Sequence, residues 1–239
     1  MKDFLYVYSQ VFKKFKEKIQ YLPLLMLAMG MYSIITILLQ NVASNIHFSG
    51  FGFIYGLILW FLRLIMMAHF AGLILTLRSR GNLRLSDFSS YDESLVQAFS
   101  QVYFIIYLIE LVFNRFIIFL PLGFLLLMIE IFWVILIGPV YELVYLGREN
   151  TSSLFSSLVE YWKNNFLCLL PMILLQVVVF FLDFQVSLSL YPFGAKVLFI
   201  SVLAKGVFKG FFYFLRYLVF EETYFSNPRA RSFQRKASL

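Results

Sequence analysis

Charged residues inside apolar stretches are the positions of this sequence most able to do chemistry. Arg63, Glu110, Glu130, Lys205 and Lys209 each interrupt a stretch of about 20 mostly apolar residues, the length that crosses a bilayer as a helix. A charge near the bilayer centre costs about 3 kcal/mol even on lenient insertion scales, so it needs an opposite charge or a water-filled cavity. The sequence therefore predicts a polar cluster within the membrane.

Two interpretations of this cluster stay open from the sequence. The side chains form either a buried ion-pair cluster that sets the helix packing, or a polar cavity that binds an anionic substrate, a lipid headgroup or protons. Lys205 lies about 20 Å along its predicted helix from the cytoplasmic end, at about 1.5 Å per residue, so its amine is too deep to reach the headgroups. We therefore expect Lys205 to pair with Glu110 or Glu130, with Arg63 competing for the same carboxylates.

Glycines near these charges predict close helix packing. Gly52, Gly56 and Arg63 fall on one narrow stripe of a helix that turns by about 100° per residue. Small residues four positions apart let a second helix approach, so Arg63 is expected to face protein and not lipid. In the last apolar stretch, Gly206 and Gly210 are expected to let the helix bend or pack tightly.

Residue patterns of common enzymes and metal sites are missing from the sequence. It contains no phosphate-binding glycine loop, no nucleophile elbow and no zinc-protease motif. His47 and His69 have no acidic residue at ligand spacing, and Cys168 is the single cysteine. We therefore expect no catalytic residues, no metal and no cofactor. An intramembrane enzyme acting on lipid is the least favoured alternative.

The composition indicates the class of protein that must position these residues. Apolar residues make up 61% of the 239 residues, charged residues make up 14%, and the mean hydropathy is +0.82. Soluble domains have about 25% charged and about 45–50% apolar residues, so a cytosolic globule is excluded, as are a disordered chain and a collagen-like fibre. The predicted fold is all-α, a polytopic helical membrane protein.

About six apolar windows are long enough to be transmembrane helices. They cover residues 20–40, 51–77, 98–118, 122–146, 165–182 and 193–220. Pro121 and Gly123 predict a turn between the third and fourth windows, because proline breaks the helical hydrogen-bond ladder and glycine permits a reversal. One long kinked span is the alternative, but a helix of about 49 residues is much too long for a bilayer.

The distribution of lysine and arginine predicts the orientation in the membrane. Segments 2–18, 78–84 and 227–239 are rich in basic residues, whereas the predicted outer loops 41–50 and 183–192 have none. Cytoplasmic segments carry the excess of basic residues, so both termini are predicted to be cytoplasmic. The net charge of +7 is then mostly this bias and not a nucleic-acid footprint. Short loops without cysteine pairs fit a bacterial cytoplasmic membrane, where the basic segments meet anionic lipid.

Amphipathic segments precede the predicted hairpins. Residues 3–18 place aromatic and aliphatic side chains on one face and lysines elsewhere, a pattern typical of a helix in the membrane interface. Weaker examples cover 87–97 and 152–163. We therefore expect an interfacial helix before each hairpin in a single transmembrane domain, residues 1–226. The basic tail, residues 227–239, is predicted to be a disordered cytoplasmic extension.

These observations predict a non-enzymatic, multi-pass membrane protein that moves or binds a small solute or a lipid through its intramembrane charges. The alternative is an accessory or scaffold subunit of a larger membrane complex, because small residues on the helices and basic cytoplasmic elements suit docking. A membrane-protein partner or a second copy of the chain is compatible with either function.

Overall fold

The structure is a computed structural model that describes residues 2–44, 51–117, 123–189 and 195–226. Within these ranges the chain is helical apart from short connectors, and it contains no strand. Eight α-helices follow one another, α1 Lys2–Lys18, α2 Leu22–Ser44, α3 Phe51–Arg80, α4 Glu93–Ile117, α5 Gly123–Ile137, α6 Val140–Tyr145, α7 Leu154–Ser189 and α8 Ala195–Tyr224. The predicted all-helical class is therefore confirmed over the described residues.

Four stretches of the described helices are long and apolar enough to cross a membrane. They are Asp3–Leu39, Gly56–Arg80, Leu126–Tyr145 and Leu154–Leu182. In α8, the charges of Lys205, Lys209 and Arg216 interrupt the apolar sequence. In α4, the polar residues of the first turns, among them Gln97 and Gln101, lower the mean hydropathy.

The third and fourth apolar windows are covered by the described parts of α4 and α5. Helix α4 ends at Ile117 and α5 begins at Gly123. The preference for two spans over one long kinked span stays a prediction, because it depends on residues 118–122. The predicted turn residue Pro121 lies outside the described residues, as does the tail 227–239.

The segments expected to form interfacial helices adopt three different structures. A turn of 3-10 helix, Ile19–Tyr21, separates α1 from α2, and the interfacial position of α1 stays a prediction. The second segment is a 3-10 turn, Leu85–Ser89, followed by the start of α4. The third differs from the prediction because it is the beginning of α7, which runs without interruption through Lys163. No glycine or proline lies between Leu154 and Leu170, so nothing in this stretch ends the helix.

The chain divides into two compact units that are described separately. Unit 1 comprises Met1–Phe12, Gln97–Val177 and Leu218–Leu239. Helix α6 is buried along its whole length in this unit, including Glu142, whose exposed fraction is 0%. Phe99 of α4 stacks on Tyr141 of α6 with ring centroids 5.2 Å apart. Aromatic packing around α6 therefore forms the centre of unit 1.

The helix is interrupted between α5 and α6, and side chains of α7 bond to carbonyls next to this interruption. Pro139 has no N–H to donate, and the N–H of Gly138 donates to the Ile135 carbonyl at 3.1 Å, in a tighter turn than that of an α-helix. Side chains of α7 satisfy two nearby carbonyls. Gln176 Nε2 donates to the Val134 carbonyl at 2.7 Å, and Trp162 Nε1 donates to the Leu136 carbonyl at 3.0 Å. These bonds hold α7 along the end of α5.

Unit 2 comprises Lys13–Val96 and Val178–Tyr217, and glycines bring two of its helices together. A Cβ added to Gly206 of α8 would lie 2.6 Å from the Cα of Gly30 in α2. A Cβ added to Gly210 would lie 2.8 Å from the Cα of Met26. Backbone meets backbone at these positions, so only glycine allows α8 to approach α2 this closely.

The connector after α3 is held by two polar side chains of unit 2. Asp87, which is 7% exposed, accepts a bond from the backbone N–H of Arg84 at 2.7 Å and forms an ion pair with Arg80 at 3.1 Å. His69 of α3 bonds the Phe88 carbonyl through Nε2 at 2.9 Å and the hydroxyl of Tyr32 through Nδ1. His69 thus joins α2, α3 and the connector, and this role explains it without a metal.

Candidate functional site

The candidate site is an open cavity of about 690 Å³ in unit 1. The connector before α7, the first third of α7 and the end of α8 form its walls. All ten described residues that line it have polar or aromatic side chains. They are Glu149, Ser157, Glu160, Tyr161, Asn164, Asn165, Thr223, Tyr224, Phe225 and Ser226.

One face of α7 supplies half of this lining. Ser157, Glu160, Tyr161, Asn164 and Asn165 are spaced by three and one positions in turn, which places them on one side of a helix. Apolar side chains of α7 face elsewhere in the same turns, with Leu154 and Leu158 buried. The amphipathic start of α7 therefore presents its polar face to the cavity.

Hydrogen bonds fix the buried part of the cavity wall. The hydroxyl groups of Tyr161 and Thr223 lie 2.8 Å apart, and Thr223 Oγ1 also donates to the Val219 carbonyl at 2.8 Å. Asn165 Nδ2 donates to the Tyr161 carbonyl at 3.1 Å. Tyr161 and Asn165 are 4% exposed and Thr223 is 2% exposed, so this wall is rigid and largely closed to solvent.

The connector between α6 and α7 places Glu149 at the cavity. Arg148 adopts a left-handed backbone conformation with φ of 55°, which reverses the chain after α6. The Asn150 side-chain oxygen then accepts bonds from the backbone N–H groups of Ser152 and Ser153, at 3.1 and 3.2 Å, just before α7 begins. Between these two features, Glu149 accepts bonds from the hydroxyls of Ser153 and Tyr224, the latter at 2.9 Å.

The environment of Glu149 keeps this carboxylate charged. Burial acts to raise its pKa, but hydrogen bonds from Ser153, Ser157 and Tyr224 outweigh burial and leave the pKa below its usual value. Burial, and then the bond to Glu149, raise the pKa of Tyr224 to about 12. Glu149 is therefore an anion and Tyr224 a neutral donor throughout the physiological pH range.

The charge of the cavity is opposite to that of the whole chain. Glu149 and Glu160 are acidic, and none of the described residues that line the cavity is lysine or arginine. The chain as a whole carries a formal charge of +7. The cavity is therefore a local acidic site on a basic protein.

The two predicted acidic residues of the intramembrane cluster both lie in unit 1. Glu110 of α4 is half-buried, and Trp133 Nε1 of α5 donates to its Oε1 at 3.0 Å. Glu130 of α5 is exposed. A tryptophan thus occupies one oxygen of Glu110, and sequence spacing did not suggest this partner.

The predicted basic residues of the cluster lie in unit 2. Arg63 is exposed on α3, and its position against a protein surface stays a prediction. Gly56 has no atom within 4 Å of the position of an added Cβ, so no helix of the described structure packs there, and the surroundings of Gly52 lie outside the described residues. A small-residue stripe permits close approach but cannot ensure it. Lys205 and Lys209 are half-buried on α8.

Sequence reasoning missed the cavity although one signal was present. The apolar face of segment 152–163 predicts an interfacial helix, but its polar face, which includes Ser157 and Glu160, lines the cavity. Glu149 and Tyr224 are separated by 75 positions, and no local pattern joins them. The spacing on α7 is the signal that could have found half of the site.

Other residues of reactive or metal-binding types make contacts that explain them as parts of the packing. Cys168 is buried, and its carbonyl accepts a bond from the Tyr8 hydroxyl at 2.9 Å. The described residues contain no group of three histidine, cysteine, aspartate or glutamate side chains arranged to hold a metal ion. The cavity is therefore the candidate functional site.

No family model, no curated protein and no solved structure matches this chain.

Proposed function

We propose that this chain is a multi-pass membrane protein that binds a small polar solute in the cavity of unit 1. The observation that carries the proposal is the cavity itself, about 690 Å³ in volume and lined by buried and hydrogen-bonded polar groups. Pockets for small ligands have volumes of about 300–1,000 Å³ and a few polar groups that fix the ligand's orientation. We propose binding without catalysis and without a cofactor, because the hydroxyl groups next to Glu149 donate to a carboxylate whose pKa is lowered, and such a carboxylate is a weak base.

We further propose that the cavity opens on the cytoplasmic side of a membrane crossed about six times. Helix α7 has 36 residues, about 54 Å at about 1.5 Å per residue, whereas the hydrocarbon core is about 30 Å thick. The stretch from Phe166 to Leu182 has no charged residue and suits the membrane, and the cavity residues precede it. The basic segments favour cytoplasmic termini. In this arrangement α1 lies in the interface, with its lysines toward anionic lipid.

Solute binding can be tested with one cavity-filling variant and one matched control. Asn164 is exposed at the cavity wall, so Asn164→Trp fills the cavity without disturbing the buried wall. Leu167 is also exposed on α7 but does not line the cavity, and Leu167→Trp is the control. Thermal unfolding of the full chain in mild detergent is measured with choline, its uncharged isostere dimethylbutanol, glucose and inorganic phosphate.

We expect at least one of these probes to raise the melting temperature of the wild type and of Leu167→Trp, but not of Asn164→Trp. A ligand at about 100 times its Kd stabilises the folded state by about 2.7 kcal/mol. Equal stabilisation of all three proteins, or no stabilisation by any probe, contradicts the proposal. Flux of the stabilising probe into liposomes then tells a transporter from a binding protein.

A second candidate function, an accessory subunit of a membrane complex, is favoured by two exposed charges. Arg63 and Glu130 lie in candidate membrane spans and are exposed on their helices. A charge exposed to lipid costs about 3 kcal/mol, and an opposite charge on a neighbouring protein removes this cost. Purification in mild detergent tests this function. A stoichiometric partner that is lost in the double variant Arg63→Leu, Glu130→Leu supports it, and a chain that purifies alone contradicts it.

A further inference from the structure

We infer that the cavity of unit 1 binds an organic ammonium ion, an inference that rests on the proposed function of the cavity as a solute site. Two separate features of the lining carry it, the carboxylates and the aromatic rings. An ammonium group is a compact cation that is attracted both to carboxylates and to the faces of aromatic rings.

The carboxylates of Glu149 and Glu160 supply the charge. The neutral hydroxyls of Ser153 and Tyr224 donate to Glu149, so these bonds orient the carboxylate without cancelling its charge. Each carboxylate oxygen can accept two bonds, so Glu149 keeps accepting capacity toward the cavity. Glu160 is exposed on α7 and adds a second negative charge to the same lining.

The aromatic rings supply the second feature. Tyr161, Tyr224 and Phe225 line the cavity, with the rings of Tyr161 and Tyr224 6.2 Å apart and those of Tyr224 and Phe225 5.2 Å apart in an edge-to-face arrangement. Aromatic rings next to carboxylates are the chemistry that holds alkylated ammonium groups.

Other ligand chemistries fit the lining less well. An anion would meet two carboxylates and no lysine or arginine among the described lining residues. A neutral polyol can bond to the amides of Asn164 and Asn165, but it would leave the two negative charges without compensation. Choline and its uncharged isostere dimethylbutanol therefore distinguish the two kinds of site. A polyol-type site binds both equally, whereas an ammonium site prefers choline.

The same cationic chemistry is available from a second source, the chain itself. Ser226 lines the cavity, and the thirteen residues that follow it in sequence include Arg229, Arg231, Arg235 and Lys236 and no acidic residue. These side chains compete with a free ammonium ion if they reach the cavity. A full-length variant with all four basic residues changed to glutamine distinguishes the two sources.

The test is titration calorimetry of the full chain in mild detergent, with choline and dimethylbutanol as probes. We expect choline to bind at least about tenfold more tightly than dimethylbutanol, a difference of about 1.4 kcal/mol. Glu160→Gln is expected to weaken choline binding about fivefold, the upper value for an exposed ion pair, and Glu149→Gln to weaken it at least as much. Glu93→Gln removes the same charge at an exposed position outside the cavity and is expected to leave the affinity unchanged.

The outcomes separate this inference from the proposed function. Equal binding of choline and dimethylbutanol that is lost in Asn164→Trp overturns the ammonium ion and retains the solute site. Choline binding that survives Glu160→Gln and Glu149→Gln unchanged also overturns the inference. Failure of every probe to bind overturns the solute site and the inference together. Tighter choline binding in the tail variant supports competition by the chain's own cations, and unchanged binding supports a free ligand.

Discussion

The hydroxyl of Tyr224 donates a hydrogen bond of 2.9 Å to Oε1 of Glu149 and so joins the end of α8 to the connector before α7. These residues are 75 positions apart in sequence, and both line the cavity of unit 1. The bond lowers the pKa of the carboxyl and raises the pKa of the phenol. Through this bond, the free energy of unfolding is expected to depend on pH in both the acid and the alkaline range.

Acid and alkali are both expected to weaken the contact between Glu149 and Tyr224. Acid protonates the carboxylate, and alkali ionises the phenol. Because the pKa of Glu149 is lower in the folded protein than its usual 4.5, its contribution to stability is present above pH 4.5 and is lost as the pH falls through the folded value. Because the pKa of Tyr224 is raised from 10.0 to about 12, its contribution is present below pH 10.0 and is lost as the pH rises toward 12. Melting temperatures between pH 3 and pH 12 measure both parts of this dependence, at about pH 3–5 and about pH 10–12.

Removing the Tyr224 hydroxyl is expected to reduce both limbs of this pH profile. Tyr224→Phe keeps the ring and deletes one hydrogen bond to a carboxylate, for which a loss of about 1.5–3 kcal/mol in the free energy of unfolding is typical. Tyr91→Phe, at an exposed position outside the cavity, is the control. A pH profile of Tyr224→Phe that is identical to that of the wild type would show that the bond does not form.

Gln176 is expected to be essential for the packing of α7 against α5. Gln176→Leu keeps the volume and leaves the Val134 carbonyl without its 2.7 Å bond, at a cost of about 1–3 kcal/mol in the free energy of unfolding. Gln101→Leu, at an exposed position of α4, is expected to change stability by less than about 0.5 kcal/mol. Chemical unfolding in mild detergent measures the difference. Equal stability of the two variants contradicts the role of Gln176 in holding the break between α5 and α6.

Glycines of the two helices in unit 2 are expected to differ in their tolerance of alanine. Gly206→Ala puts a methyl group 2.6 Å from the Cα of Gly30, so the helices must separate, and we expect a loss of about 1–3 kcal/mol. Gly56→Ala meets nothing within 4 Å and improves helix propensity, so we expect a gain of about 0.5–1 kcal/mol. Thermal unfolding ranks the two variants. If Gly206→Ala is the more stable, α2 and α8 do not pack through these backbones.

The proposed topology predicts opposite accessibility for two loops. In a Cys168→Ser background, single cysteines are introduced at Asn45 and at Ser232 and labelled in intact cells with a reagent that does not cross membranes. The basic segments predict labelling at position 45 and protection at position 232 until the membrane is opened. Labelling of both from the same side contradicts an arrangement with cytoplasmic termini and an outer first loop.

The helices of this protein follow from local sequence, whereas its cavity depends on contacts between distant residues. Long apolar runs demand helices because an unpaired backbone is too costly in lipid, so helices α2 to α5 each cover most of one apolar window. The continuity of α7 was missed because an amphipathic segment can lie in the interface or extend a span, and its surroundings decide between them.

Which polar residues meet is a matter of packing. Glu110 is bonded to Trp133 because α4 and α5 bring these side chains together, and no charge count could indicate an indole partner. Gly206 meets α2 while Gly56 meets no described helix, although both belong to equally good small-residue patterns. Glu149, Tyr161 and Tyr224 line one cavity because a left-handed residue at Arg148 reverses the chain and a break at Pro139 positions α7. Such turns act through long-range geometry, which local residue patterns do not encode.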